Sequence, residues 1–182
     1  MTIRTAVVVV TFVVHCASMA QTVVMRCDIG TPAHPQKVEL LRSKRMVDTH
    51  VYSVRLAPSK AEQYLFDEEQ DSRGSNVRFM CAGKDEKTLV VSGEFTSNFL
   101  KGAALVYRQQ QLEKLEFADR VRPQWLYLTE HSIKVVMPTN GHGEVPEKFV
   151  SYVHVFGDNQ EAQQKGLASL PPTTPKVAAR LW

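Results

Sequence analysis

With 182 residues the chain is long enough to bury a core of its own without relying on many disulfides. Its 22 Lys and Arg against 19 Asp and Glu leave a net charge of +3, too small a surplus to mark a nucleic-acid-binding protein. Three cysteines and six histidines bound whatever thiol or metal chemistry it carries.

Residues 1–20 have the form of a secretory signal peptide. Arg4 supplies a positive start, Ala6 to Val14 is apolar apart from Thr11, and Ser18-Met19-Ala20 places small residues where a signal peptidase reads. Cleavage is expected before Gln21, since the apolar run falls well short of the ~20 residues that span a bilayer. Cys16 is the alternative, as a lipidation site, but His15 stands where bacterial lipoprotein leaders carry a small residue. Removal of the leader leaves Cys27 and Cys81 in an oxidising compartment, periplasmic or secreted. A bond between them would close a long loop and stabilise the fold by about 4 kcal/mol. The alternative is a pair of buried free thiols.

In the mature chain, Val23 to Ile29 reads as a first strand carrying Cys27, and Gly30-Thr31-Pro32 with Pro35 as the turn after it. Lys37 to Leu41 and His50 to Leu56 read as strands, the second with Tyr52, Val54 and Leu56 on one face and Val51, Ser53 and Arg55 on the other. Between them Arg42, Lys44 and Arg45 gather positive charge that would face an acidic partner or a phosphate-rich surface, or would simply be a solvated turn. After Pro58, Ser59 and Glu62 have capping-box spacing for a short helix to about Phe66; the alternative is a strand from Gln63 to Asp67. The acidic group Asp67, Glu68, Glu69 and Asp71 lacks the glycine and ligand spacing of a calcium loop, and reads as solvated.

Asn76 to Phe95 carries the strongest hairpin pattern. A turn from Gly83 to Lys87 sets Ala82 against Thr88, Cys81 against Leu89 and Phe79 against Val91. Val77, Phe79, Cys81, Leu89 and Val91 then share an apolar face, while Arg78, Ser92, Asn76, Glu94, Met80 and Val90 form a mixed face open to water. Ala103 to Arg108 continues as an apolar stretch; Gln109 to Arg122 leans towards strand through the alternation of Leu115 and Phe117, and Pro123 ends it. Gln124 to Met137 predicts a second hairpin around Glu130-His131, pairing Leu128 with Ile133 and Leu126 with Val135. Thr139 to Glu147 is a loop, and Phe149 to Phe156 a last strand. From Asp158 to Trp182 the prolines predict a tail that does not continue a sheet, with a short helix or disorder, or with Leu181 and Trp182 docked on the domain.

Reactive constellations are sparse. Ser92 before Gly93 does not complete the G-x-S-x-G elbow of a serine hydrolase, and no Gly-rich loop joins a strand to a helix to cradle phosphate. Of His34, His50, His131, His142 and His154, no pair has H-E-x-x-H or i, i+2 spacing. His142, between two glycines and near Glu144, is the one candidate for metal or acid-base work. No metal or other cofactor is expected.

Ser92-Gly93 and Lys101-Gly102 resemble motifs of the bacterial periplasmic lysozyme inhibitors of small β-barrel type, which present Ser-Gly followed by an aromatic, then Lys-Gly. About a dozen residues carry the resemblance; Phe95 stands one position early, the gap to Lys101 is short and the chain is longer than those domains. It implies a hydrolase inhibitor in which Ser92 and Lys101 contact an acidic catalytic cleft. The residues themselves predict one mainly β domain over 21–157, an antiparallel barrel or sandwich of eight to ten strands with short helical segments, clipped by Cys27–Cys81 and followed by a tail over 158–182. The expected role is non-enzymatic: binding a protein, a bacterial envelope component or a small ligand. An inhibitor of a cell-wall hydrolase is the second reading, and a weak metal-binding protein or hydrolase the third.

Overall fold

The computed structural model describes residues 21–96, 98–141, 145–158, 161–172 and 178–182. The expected signal peptide over 1–20 and the His142 and Glu144 pair lie outside the described residues. Thirteen strands and no helix are found among the described residues, in two antiparallel sheets. In the first, β1 (Thr22–Thr31), β2 (His34–Arg42), β3 (His50–Ala57), β5 (Arg73–Ala82), β6 (Thr88–Glu94), β7 (Leu100–Arg108) and β8 (Gln111–Asp119) follow one another, and β4 (Glu62–Tyr64) also pairs with β3. The second sheet runs β12 (Gln163–Leu167), β11 (Phe149–Val155), β10 (Ser132–Pro138), β9 (Trp125–Leu128) and β13 (Ala178–Arg180).

The central hairpin has the register that its alternation dictates, with Ala82 opposite Thr88, Cys81 opposite Leu89 and Phe79 opposite Val91. At its turn Gly83 takes φ +111°, and a Cβ there would run into Glu86 O, so only glycine fits. The second hairpin also holds its expected register: Leu128 faces Ile133, Leu126 faces Val135, and the Thr129 N–H donates to Ser132 O across Glu130-His131.

Two cores share the strands at the middle of the first sheet. Cys27, Ile29, Val38, Leu40, Tyr52, Val54, Leu89, Val91, Ala103 and Leu105 fill one core. The next residues along the same strands, Val90, Ala104 and Val106, turn to the opposite face and pack with Leu115, Phe117, Leu126, Ile133, Val135 and Val150 in the other. Strands β6 and β7 are therefore buried on both sides, which is why Leu-Val-Val and Ala-Ala-Leu-Val are continuous apolar runs with no polar alternation. The face of Met80, Val90 and Ser92, expected to be wet, is here a correction: Val90 and Ser92 are fully buried because the second sheet covers them. A Cβ on Gly102 would strike the Phe117 ring and Val91 O, so the strand crossing of the two cores leaves no room for a side chain.

The first sheet curls until β1 lies over β5, β6 and β7, and there the expected bond forms: Cys27 and Cys81 are joined, with Cα atoms 5.5 Å apart. An isolated bridge between Gly30 of β1 and Lys87, the residue before β6, adds to this contact.

Three expectations are overturned. No helix follows Ser59, and the strand alternative is the nearer one, at Glu62–Tyr64 in place of the expected Gln63 to Asp67: its pairing with β3 carries Leu65 and Phe66 into the first core, where both are buried, and Ser59 Oγ accepts from the Ala61 N–H. The tail does enter a sheet, since β12 pairs with β11 and β13 with β9, while Pro171 and Pro172 fall outside both strands and cost no ladder bond. The alternative for the chain end holds: Leu181 is docked in the second core, with its N–H on Gln124 O and Trp182 packed beside it. With β4, β12 and β13 added, the strands outnumber the eight to ten expected.

Across β1, β2 and β3, Arg26, Glu39 and Arg55 stand directly opposite one another, and both guanidiniums bond the Glu39 carboxylate. The hydrogen bond from Arg26, then those from Arg55, hold the Glu39 pKa below its usual value of 4.5. A carboxylate with a depressed folded pKa contributes stability that is complete above the unfolded value and is lost as pH falls through the folded one. Wild-type protein is thus expected to lose its stability advantage over Glu39→Gln as pH drops below 4.5, measured by urea unfolding at a series of pH values. A gap that stays constant with pH would show the triad to be without effect.

Candidate functional site

Strand β8 is the last strand of the first sheet, and a cleft of about 620 Å³ runs along it. Its side chains alternate across the strand. Glu113, Leu115 and Phe117 turn towards the second core, while Lys114 and Glu116 turn the other way.

On the side of Lys114, charges are satisfied by one another. The Glu116 carboxylate takes Lys114 Nζ at 2.5 Å and Lys101 Nζ at 3.3 Å. Lys114 also reaches Asp67 at 4.0 Å and donates to Leu65 O at 3.4 Å. Lys101 lies over the Phe66 ring, 4.0 Å from its centroid, a cation–π contact that fixes the ammonium at the cleft wall.

On the side of the second core, Glu113 and His154 meet at 2.8 Å, both almost fully buried. The second Glu113 oxygen accepts from the Gly157 N–H at 3.3 Å. One carboxylate thus ties β11 and the turn after it to β8. Two further contacts fasten the sheets at this place: the Tyr152 hydroxyl donates to Ala118 O, and the Arg108 guanidinium covers the Phe156 ring while pairing with Glu86 through both nitrogens. The cleft wall is set by these bonds before any ligand arrives.

The cleft has acid–base groups but lacks a common nucleophile, since no Ser, Thr or Cys is among its described lining residues. Nor do the described residues place three or more His, Cys, Asp or Glu together as metal ligands. Five carboxylates, Asp67, Glu113, Glu116, Asp158 and Glu161, face it against the two ammonium groups of Lys101 and Lys114. It is a firm-walled, acidic groove.

The residues singled out from sequence are distributed differently. Ser92 and Lys101 do sit on neighbouring strands, with Ser92 opposite Gly102 and Gly93 opposite Lys101. Their side chains leave opposite faces of the sheet: Lys101 reaches the cleft, whereas Ser92 is fully buried, its hydroxyl unpaired, with no surface to offer a partner. Arg42 is the last residue of β2, opposite Thr22 and Tyr52, while Lys44 and Arg45 belong to the connection from β2 to β3, where Arg45 pairs with Asp48 at 2.6 Å and Lys44 is exposed; none of the three lines the cleft.

Glu113, His154 and Glu116 were not singled out. The available signal was a lone Glu beside Leu115 and Phe117, and a lone His beside Val150 and Tyr152, each on an otherwise apolar strand face. Burial of a polar group on such a face requires a partner, and each is the other's.

Comparison of the chain with protein-family models, with curated proteins and with solved structures returns no match.

Proposed function

We propose that the chain acts as an exported, non-enzymatic binding protein of the bacterial cell envelope, and that the cleft along β8 receives its partner. The observation that carries the reading is the cleft, a groove of about 620 Å³ with walls of mutually paired charges and no Ser, Thr or Cys nucleophile among its described lining. Export is supported by the buried Cys27–Cys81 bond, which persists where thiols are oxidised, together with the leader pattern of residues 1–20. No helix among the described residues is long and apolar enough to cross a membrane.

The test is capture from an envelope extract by the mature domain, beside the double variant Asp67→Lys and Glu161→Lys. Both positions are exposed, and Asp67 meets Lys114 only at 4.0 Å while Glu116 holds it at 2.5 Å, so reversal of their charge is expected to leave the core intact. A partner held by the wild type and lost by the variant supports the reading. Capture that ignores the charge reversal, or no capture at all, overturns it.

A further inference from the structure

Resting on that reading, we infer that the partner enters the cleft as an extended, basic peptide segment and adds a strand to the free edge of β8. The backbone of β8 sets the geometry. Arg108 and Gln111 close the turn between β7 and β8, and its central residues Gln109 and Gln110 have φ +48° and +64°. Such a two-residue turn is closed by a hydrogen-bonded pair. Counting along an antiparallel ladder from Gln111, the alternate residues Gln111, Glu113, Leu115 and Phe117 point their backbone groups at β7. Leu112, Lys114, Glu116 and Ala118 point theirs away. The Tyr152 hydroxyl confirms that parity independently, because it reaches Ala118 O from the outer side.

Among the described residues, the outward groups of Leu112, Lys114 and Glu116 take no strand partner. Proteins ordinarily keep such edges very short or cover them. The other outer strands follow that practice: β4, β12 and β13 have three, five and three residues, and β1 is clamped over β5 by the disulfide. Strand β8 has nine residues and a cleft in place of a cover. Lysine at an edge usually deters pairing by projecting its charge there, but the Lys114 ammonium is held by Glu116, Asp67 and Leu65 O. The edge is left open between walls already fixed in place.

Charge names the occupant. Five carboxylates against two ammonium groups and the His154 imidazole leave the lining net negative even with its internal pairs counted, which favours a segment bearing Lys or Arg, and alternate side chains of an added strand would meet opposite walls of the groove. A second copy of this chain would bring the same acidic lining into the groove and gains nothing from this complementarity.

A display library of random peptides of about seven residues, the span from Leu112 to Ala118, is selected on the mature domain, and the strongest binder is synthesised. The selected sequences are expected to be basic, and the peptide to slow hydrogen exchange at the Leu112, Lys114 and Glu116 amides. N-methylation of its alternate, edge-facing amides should weaken binding by about tenfold or more, while methylation of the other set should not. Acidic selected sequences, unprotected β8 amides or equal effects of the two methylation patterns would each overturn strand addition, as would dimerisation of the chain through β8 in sedimentation. If strand addition fails while envelope capture still depends on Asp67 and Glu161, the binding reading survives without it; if that capture is also insensitive to charge, both fall.

Discussion

Replacing Cys27 and Cys81 together by alanine is expected to lower the unfolding free energy by about 4 kcal/mol. The bond spans a sequence separation of 54 residues, so its removal returns a large amount of closure entropy to the unfolded chain. Its location adds to the effect. Strands β1 and β5 are not neighbours in the sheet, and between them β2 and β3 must curl far enough to bring the two sulfurs together. The bond fixes that curvature and closes the first core, where Cys27 packs with Ile29, Leu89 and Val91. For a domain of this size the loss corresponds to a melting temperature lower by roughly 8–16 °C. Urea unfolding of wild-type and double-variant protein, both purified under oxidising conditions, measures it. An unchanged midpoint, together with two alkylatable thiols in native wild-type material, would mean that the bond does not form in the mature protein.

The strand pattern was legible because the two hairpins alternate cleanly: Phe79, Cys81, Leu89 and Val91 could not share a helical face, and Leu126, Leu128, Ile133 and Val135 paired in one register. The second core was not legible. Val90 read as part of a face open to water and Ala103 to Arg108 only as an apolar stretch, because a continuous apolar run looks the same whether one sheet or two will cover it. Local signals also misled where tertiary pairing outweighed them. The Ser59 and Glu62 spacing suits a cap, yet burial of Leu65 and Phe66 stabilises more than a short helix gains. The prolines of the tail hid β12 and β13, which lie on either side of them. At the cleft, Lys101 was named from sequence, but for a motif whose serine proved to be buried. Glu113 and His154 lie 41 residues apart, and only the stacking of β8 against β11 brings them together.

Glu113→Ala is expected to destabilise the fold by about 1–3 kcal/mol and to weaken partner binding in the cleft, because it strands the buried His154 imidazole and releases the turn at Gly157. The Glu113 carboxylate is the hydrogen-bonding partner of His154 Nε2 and of the Gly157 N–H. Removing it leaves the buried imidazole nitrogen without a partner beside the second core, at a cost of about 1–3 kcal/mol, while the exposed Gly157 N–H turns to water. The loss would fall mainly on the end of β11 and the residues after it, so the cleft wall carrying Asp158 and Glu161 should loosen before the rest of the domain unfolds. Glu113→Gln keeps an acceptor for one of the two groups and should recover part of the stability, which separates lost hydrogen bonding from lost volume. Urea midpoints for the two variants, with hydrogen exchange at the Gly157 amide, provide the comparison. Equal destabilisation by Ala and Gln, with Gly157 protection unchanged, would show that the wall is held by apolar packing of Phe117, Tyr152 and Val150, and that the buried carboxylate does not set the shape of the cleft.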